Sequence, residues 1–128
     1  VTVRAQLIKD LTFSLQSGRE EGHIANAVWK LHWRLKTKRI EDKARDNVFS
    51  IASIELRDNL CGCGHFTALI RHLVEHPSIA GRSLDWIYVE QCRFRLGEHL
   101  RRELGFKIDD GMVIDAYRQT TLQMDLAL

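Results

Sequence analysis

Residues 1–17 carry two competing patterns. Val3, Leu7, Leu11 and Leu15 recur at helical spacing, whereas Leu11, Phe13 and Leu15 alternate as in a strand. We read a helix. Ser17 to Gly22 holds two glycines and reads as a turn. From Trp29 the period is two: Trp29, Leu31, Trp33 and Leu35 alternate with Lys30, His32, Arg34 and Lys36, a strand with one apolar and one cationic face. Glu41 to Asn47 is polar and turn-like. Val48 to Leu56, rich in β-branched residues, reads as a central strand.

Phe66, Leu69, Ile70, Leu73 and Val74 then fall on one helical face, and Pro77 follows where helix-stop chemistry places it. Leu84 to Glu90 predicts a second short apolar strand. Leu96, Leu100 and Leu104 space a further helix, with Gly105 where a left-handed cap belongs and Phe106 able to fold back on Leu100. Met112 to Tyr117 completes the order as a strand. The sum is an α/β chain with a mixed sheet and a crossover through the helix near 65–76.

Composition narrows the class. The chain of 128 residues, 45% hydrophobic and 28% charged, fits one globular domain over 1–128. It can bury roughly 65–70% of its unfolded surface without a disulfide or metal staple. No apolar run approaches the ~18 residues of a membrane span, and no basic-then-apolar leader is present. The chain opens on Val1, so a few residues are expected before it. Three cysteines, an odd number, point to free thiols and a cytoplasmic location. A net charge of +2 does not announce a nucleic-acid binder.

The strongest candidate chemistry lies between the central strand and the first core helix. Arg57-Asp58-Asn59-Leu60-Cys61-Gly62-Cys63-Gly64 turns on two glycines into a helix N-terminus. Successive N–H groups there can converge on an anion, as in a pyrophosphate cradle, although a plain strand–helix turn reads the same way. A third Rossmann glycine is absent, since Thr67 stands in its place, and no Gly-Lys-Ser/Thr of a P-loop follows.

Cys61-Gly62-Cys63-Gly64-His65-Phe66-Thr67-Ala68-Leu69-Ile70 resembles the acetyl-coenzyme A loop and helix of the GNAT superfamily of N-acetyltransferases. Downstream, the strand Trp86 to Glu90 and the helix Leu96 to Leu104 ending in Leu104-Gly105-Phe106 resemble the second half of that fold. The two motifs stand in the expected order, cover residues 48–118, and are most like short phage-encoded acetyltransferase-like proteins. The resemblance implies a GNAT-like mixed, mostly antiparallel sheet, with a central parallel strand pair splayed around a cofactor site and helices flanking it. It implies acetyl-CoA as co-substrate, its pyrophosphate on Cys61, Gly62, Cys63, Gly64, His65 and Phe66. The pantetheine arm would lie between strands 48–56 and 84–90, with main chain near Leu56 polarising the thioester. Arg57, Thr67 and Gln91 complete the implied cofactor set. A primary amine (a protein lysine, an N-terminus or a small amine) would attack directly.

Departures from the family pattern accompany the match. Cys61 replaces an Arg/Gln, Phe66 a small residue, Arg101 a frequent tyrosine and Phe94 a common asparagine, for which Gln91 is a stand-in. For general base, Glu55 precedes the expected thioester site and Glu90 ends the neighbouring strand; Tyr88, or Tyr117, would protonate the thiolate. Each has a plainer reading as an ion-pair or packing residue. Trp29 and Trp33 read as core rather than substrate wall.

Cys61, Cys63, His65, His72 and His76 offer soft metal donors. His72, however, lies about 13 Å along a helix from Cys63 at ~1.5 Å per residue, and no metal is expected. The cationic run Lys30, Arg34, Lys36, Lys38, Arg39 reads first as a solvated face and then as a phosphate contact. The expected protein is an N-acetyltransferase, monomer or homodimer, with no membrane or nucleic-acid partner. The alternative is an inactive GNAT-fold module that binds a host protein or nucleic acid.

Overall fold

The computed structural model of the chain describes residues 2–60 and 64–120. Helix α1 (Val3–Leu15) starts on Thr2, whose hydroxyl accepts from the Ala5 amide at 3.1 Å. It places Leu7, Leu11 and Leu15 wholly in the core, while Phe13 stays 78% exposed. The strand-like alternation was therefore a surface phenylalanine between two core leucines. Asp10 and Ser14 of α1 accept the indole N–H groups of Trp29 at 3.0 Å and Trp33 at 2.8 Å, so both tryptophans are core residues with satisfied donors.

Among the described residues eight strands follow: β1 (Glu21–Ala25), β2 (Trp29–Ile40), β3 (Lys43–Leu56), β4 (Ser78–Ile79), β5 (Arg82–Ser83), β6 (Trp86–Val89), β7 (Lys107–Asp109) and β8 (Asp115–Gln119). Six form one sheet in the order β1-β2-β3-β6-β8-β7, and β4 and β5 form a small hairpin. Every neighbour pair of the large sheet is antiparallel except β3 and β6, joined by helix α2 (His65–Glu75). Helix α3 (Phe94–Leu104) links β6 to β7 and ends on Gly105 at φ +70°, with the Phe106 amide donating to the Leu100 carbonyl. The leucine-glycine-phenylalanine reading of that cap holds.

Three expectations are corrected. Ser17 to Gly22 is not all turn, because Glu21 and Gly22 already pair with Arg34 and Trp33 in β1. Glu41 to Asn47 is mostly strand. Its turn shrinks to Glu41 and Asp42, both at positive φ, and Lys43 onward extends the β2–β3 hairpin. Met112 to Tyr117 splits: Met112 and Val113 are exposed in the loop, and β8 begins at Asp115. In each case long-range pairing, rather than local composition, decides where the ladder runs.

The main core joins one sheet face, through Trp29, Trp33, Phe49, Ile51 and Ile87 among others, to apolar stripes of all three helices. A second cluster of Ile40, Val48, Trp86, Tyr88 and Tyr117 lies on the other face, where the hairpin end curls over it. Arg45 sits 5.0 Å over the Trp86 ring there, and Lys107 pairs with Glu41 at 3.2 Å. No helix is long and apolar enough to cross a membrane, among the described residues.

Candidate functional site

The parallel pair holds register only from Val48–Trp86 to Ile51–Val89, closed by the Glu90 amide donating to the Ile51 carbonyl at 3.0 Å. Beyond that point β6 ends and β3 continues to Leu56. Ala52 is an extra residue against β2, because Trp33 pairs with Ile51 and His32 with Ser53. Such a bulge sharpens the local twist and turns the strand away from its neighbour. Among the described residues no strand of the sheet covers the β6-side edge of residues 52–55. At about 3.3 Å per residue that edge is roughly 10 Å long.

The edge leads into the start of α2. Gly64 caps the helix at φ +75°, a left-handed conformation that glycine adopts without strain, and it has no side chain of its own with which to cap the first turn. The first-turn N–H groups, from His65 to Thr67, stand at the positive end of the helix dipole. Phe66, which stands where the family has a small residue, is partly buried and packs against the core. Cys61, Gly62 and Cys63 lie outside the described residues. Arg4, from the first turn of α1, reaches this point: its Nε donates to His65 Nδ1 at 3.3 Å, and its guanidinium is the group a Gly64 Cβ would meet, at 3.7 Å. No local signal marked Arg4, because sixty residues separate it from the glycine turn.

On the polar sheet face, at the point where the strands part, lies a groove of ≈ 540 Å³. It is lined by Glu21, Arg34, Lys36, Thr37, Lys38, Ser50 and Glu90. Glu90 is mostly covered and accepts from Arg34 Nη1 at 3.1 Å, which orients its carboxylate. Lys38 stands 4.5 Å over the Tyr88 ring. The Tyr88 hydroxyl donates to Asp115 Oδ2 at 2.5 Å, and Asp115 Oδ1 accepts the Gln91 amide at 2.8 Å. Burial first, and then Asp115, push the Tyr88 phenol well above its ordinary range. A separate cleft of ≈ 420 Å³ between α1 and β1 includes Phe13 and lies away from the strand splay.

The predicted residues therefore divide. Leu56 ends β3, Gly64, His65, Phe66 and Thr67 open α2, and Glu90 sits where β6 parts from β3. Arg57 donates its amide to the Val28 carbonyl and its Nε to Asn59 Oδ1 at 2.8 Å. Glu55 is exposed opposite Lys30, about four residues, or ~13 Å, from the parting of the strands. Gln91 turns at φ +49° just past β6 and faces solvent. Phe94 is exposed at the start of α3, and Arg101 is exposed and paired with Glu98 at 2.8 Å. His72 on α2 stacks on His76, the residue just past its end.

No protein-family profile matches the chain, and no curated protein matches it in sequence. Among solved structures it is similar to a point mutant of the AtaT toxin, bound to the C-terminus of the antitoxin AtaR and acetyl-CoA. The likeness has a TM-score of 0.52 at 14% identity and covers 78% of this chain. The chain spans 63% of the length of that toxin. The chain thus has a GNAT-like mixed α/β fold, similar to that of the acetyl-CoA-bound toxin.

Proposed function

We propose that the chain binds acetyl-coenzyme A along the 52–55 edge of β3 and transfers the acetyl group to a primary amine. The observation that carries this reading is the meeting of three features: the splayed parallel pair, a left-handed glycine opening α2, and an oriented carboxylate where the strands part. The acetyl-CoA bound to the structurally similar toxin supports the choice of ligand.

The pantetheine amides would pair with the β3 edge as an added strand does. The pyrophosphate would rest on the first-turn amides of α2 with Arg4 beside it. The acceptor nitrogen, held in the groove, attacks the thioester carbonyl carbon while a main-chain N–H near the bulge stabilises the developing oxyanion. Glu90, held by Arg34, takes the amine proton directly or through a water. The C–S bond then breaks, and the coenzyme leaves as a thiolate that takes a proton from water. A thiolate is a competent leaving group near neutral pH, with an ordinary thiol pKa of about 8.5. No dedicated acid is needed, which accommodates both the solvent-facing Arg101 and the Tyr88 proton already donated to Asp115.

Calorimetry with acetyl-coenzyme A, followed by thiol release over a panel of peptides, N-terminal amines and small amines, tests this. Saturable binding with amine-dependent thiol release is the expected result. Absence of both heat and thermal shift would sink the reading. Binding without turnover would favour a non-catalytic GNAT-fold module.

A further inference from the structure

We propose that Glu21, His23 and His32 form a zinc site on the edge of the sheet, separate from the acetyl-transfer chemistry. Among the described residues they are the one group of three metal-ligating side chains whose donor atoms converge, all within 4.8 Å of one another. The β1–β2 register produces it. His23 lies directly opposite His32, and Glu21, two residues along β1, projects from the same face as His23. The two imidazoles stack with ring centres 4.1 Å apart and planes 17° apart, and His32 Nε2 contacts the Glu21 carboxylate.

The donor chemistry selects the ion. Two imidazole nitrogens and one carboxylate oxygen are a ligand set that zinc takes with three protein ligands and an open fourth position. Calcium and magnesium prefer oxygen-only shells and are disfavoured. Tetrahedral zinc at about 2.0–2.2 Å from each donor needs the donors roughly 3.3 Å apart. Glu21 and His23 are exposed and His32 is half-buried, so side-chain rotation can close the remaining gap and water can fill the fourth position. Arg34, opposite Glu21, opposes the dication, but its guanidinium is engaged by Glu90. The ion would clip edge strand β1 to β2. Glu21 also lines the groove with Glu90, so the ion would sit at the groove's rim. Sequence spacing looked for metal in the Cys61–His76 segment, whereas this set forms only across a strand pair.

The test is titration of chelator-stripped protein with zinc chloride, read by calorimetry and by competition with a chromophoric chelator. One zinc per chain is expected, with a melting temperature that climbs with zinc concentration and does not respond to magnesium or calcium. His23→Ala, His32→Ala and Glu21→Gln should each weaken zinc binding by at least about tenfold. Cys61→Ser/Cys63→Ser should bind zinc as the parent does. His23 is exposed, so the zinc-free His23→Ala variant should melt with the parent and keeps the test decisive if His32→Ala fails to fold. Parental affinity in His23→Ala, loss of binding only in the cysteine variant, or no zinc binding by the stripped parent would each overturn the proposal.

Discussion

Gly64 and Arg4 set the test at the scale of single residues. Among the described residues, a Cβ at Gly64 meets nothing nearer than the Arg4 guanidinium, at 3.7 Å. The obstacle is φ +75°, which costs a β-branched residue about 1–3 kcal/mol of strain. Gly64→Val should therefore melt lower but cooperatively. It should also lose at least about tenfold in coenzyme A affinity, ~1.4 kcal/mol, because the side chain enters the phosphate cradle. Gly105→Ala is the matched control, since Gly105 shares the left-handed conformation at φ +70° at the far end of α3. It should be strained yet bind coenzyme A like the parent. Arg4→Ala should weaken coenzyme A more than it weakens a dephosphorylated pantetheine fragment, as a phosphate cation would. Calorimetry on the four proteins decides: a folded Gly64→Val with parental affinity would make the loop only a turn.

Elements of strong period were legible in the sequence: α2, α3, β2 and the core half of β3 all stand where their spacing put them. The weak ones were not, and β1 shows why. Its five residues expose alternate positions, and Gly22 within it reads as punctuation. That glycine is required by packing instead. A Cβ there would lie 2.5–2.7 Å from the Trp33 indole, which is fully buried and fixed to Ser14 through its N–H. The indole lies directly over the bare Gly22 backbone, which forms its seat. Gly22→Ala should destabilise the protein by about 1–3 kcal/mol by overpacking. It should also raise hydrogen exchange in β1 ahead of β2 and β3, because an edge strand lifts at lower cost than a central one. Uniform exchange across the sheet, or an unchanged melt, would mean that Trp33 can move.

At the scale of the whole molecule, the glycine turn and the strand–helix–strand order were readable because they are local. The groove was not, because it is assembled from distant residues. Arg34 on β2 meets Glu90 past the end of β6 across 56 positions, and Arg4 meets His65 across 61. Glu55 and Glu90 were both base candidates from their places along the strands, and the sheet geometry puts Glu90 where the strands part. Glu90→Gln separates a chemical role from a structural tie. The Arg34–Glu90 pair is partly exposed on the arginine side, so losing its charge should shift stability by no more than about 1 kcal/mol. Coenzyme A affinity should stay parental, since the cradle lies at the other end of the β3 edge. With the amine base removed, kcat/KM for an accepted amine should fall by about 10²–10⁴-fold. Arg34→Met, which leaves the carboxylate in place but unheld, should lose less. A Glu90→Gln variant that turns over at the parental rate would move the base elsewhere in the groove. One that loses coenzyme A affinity along with rate would show that the carboxylate holds the fold of the site rather than the proton.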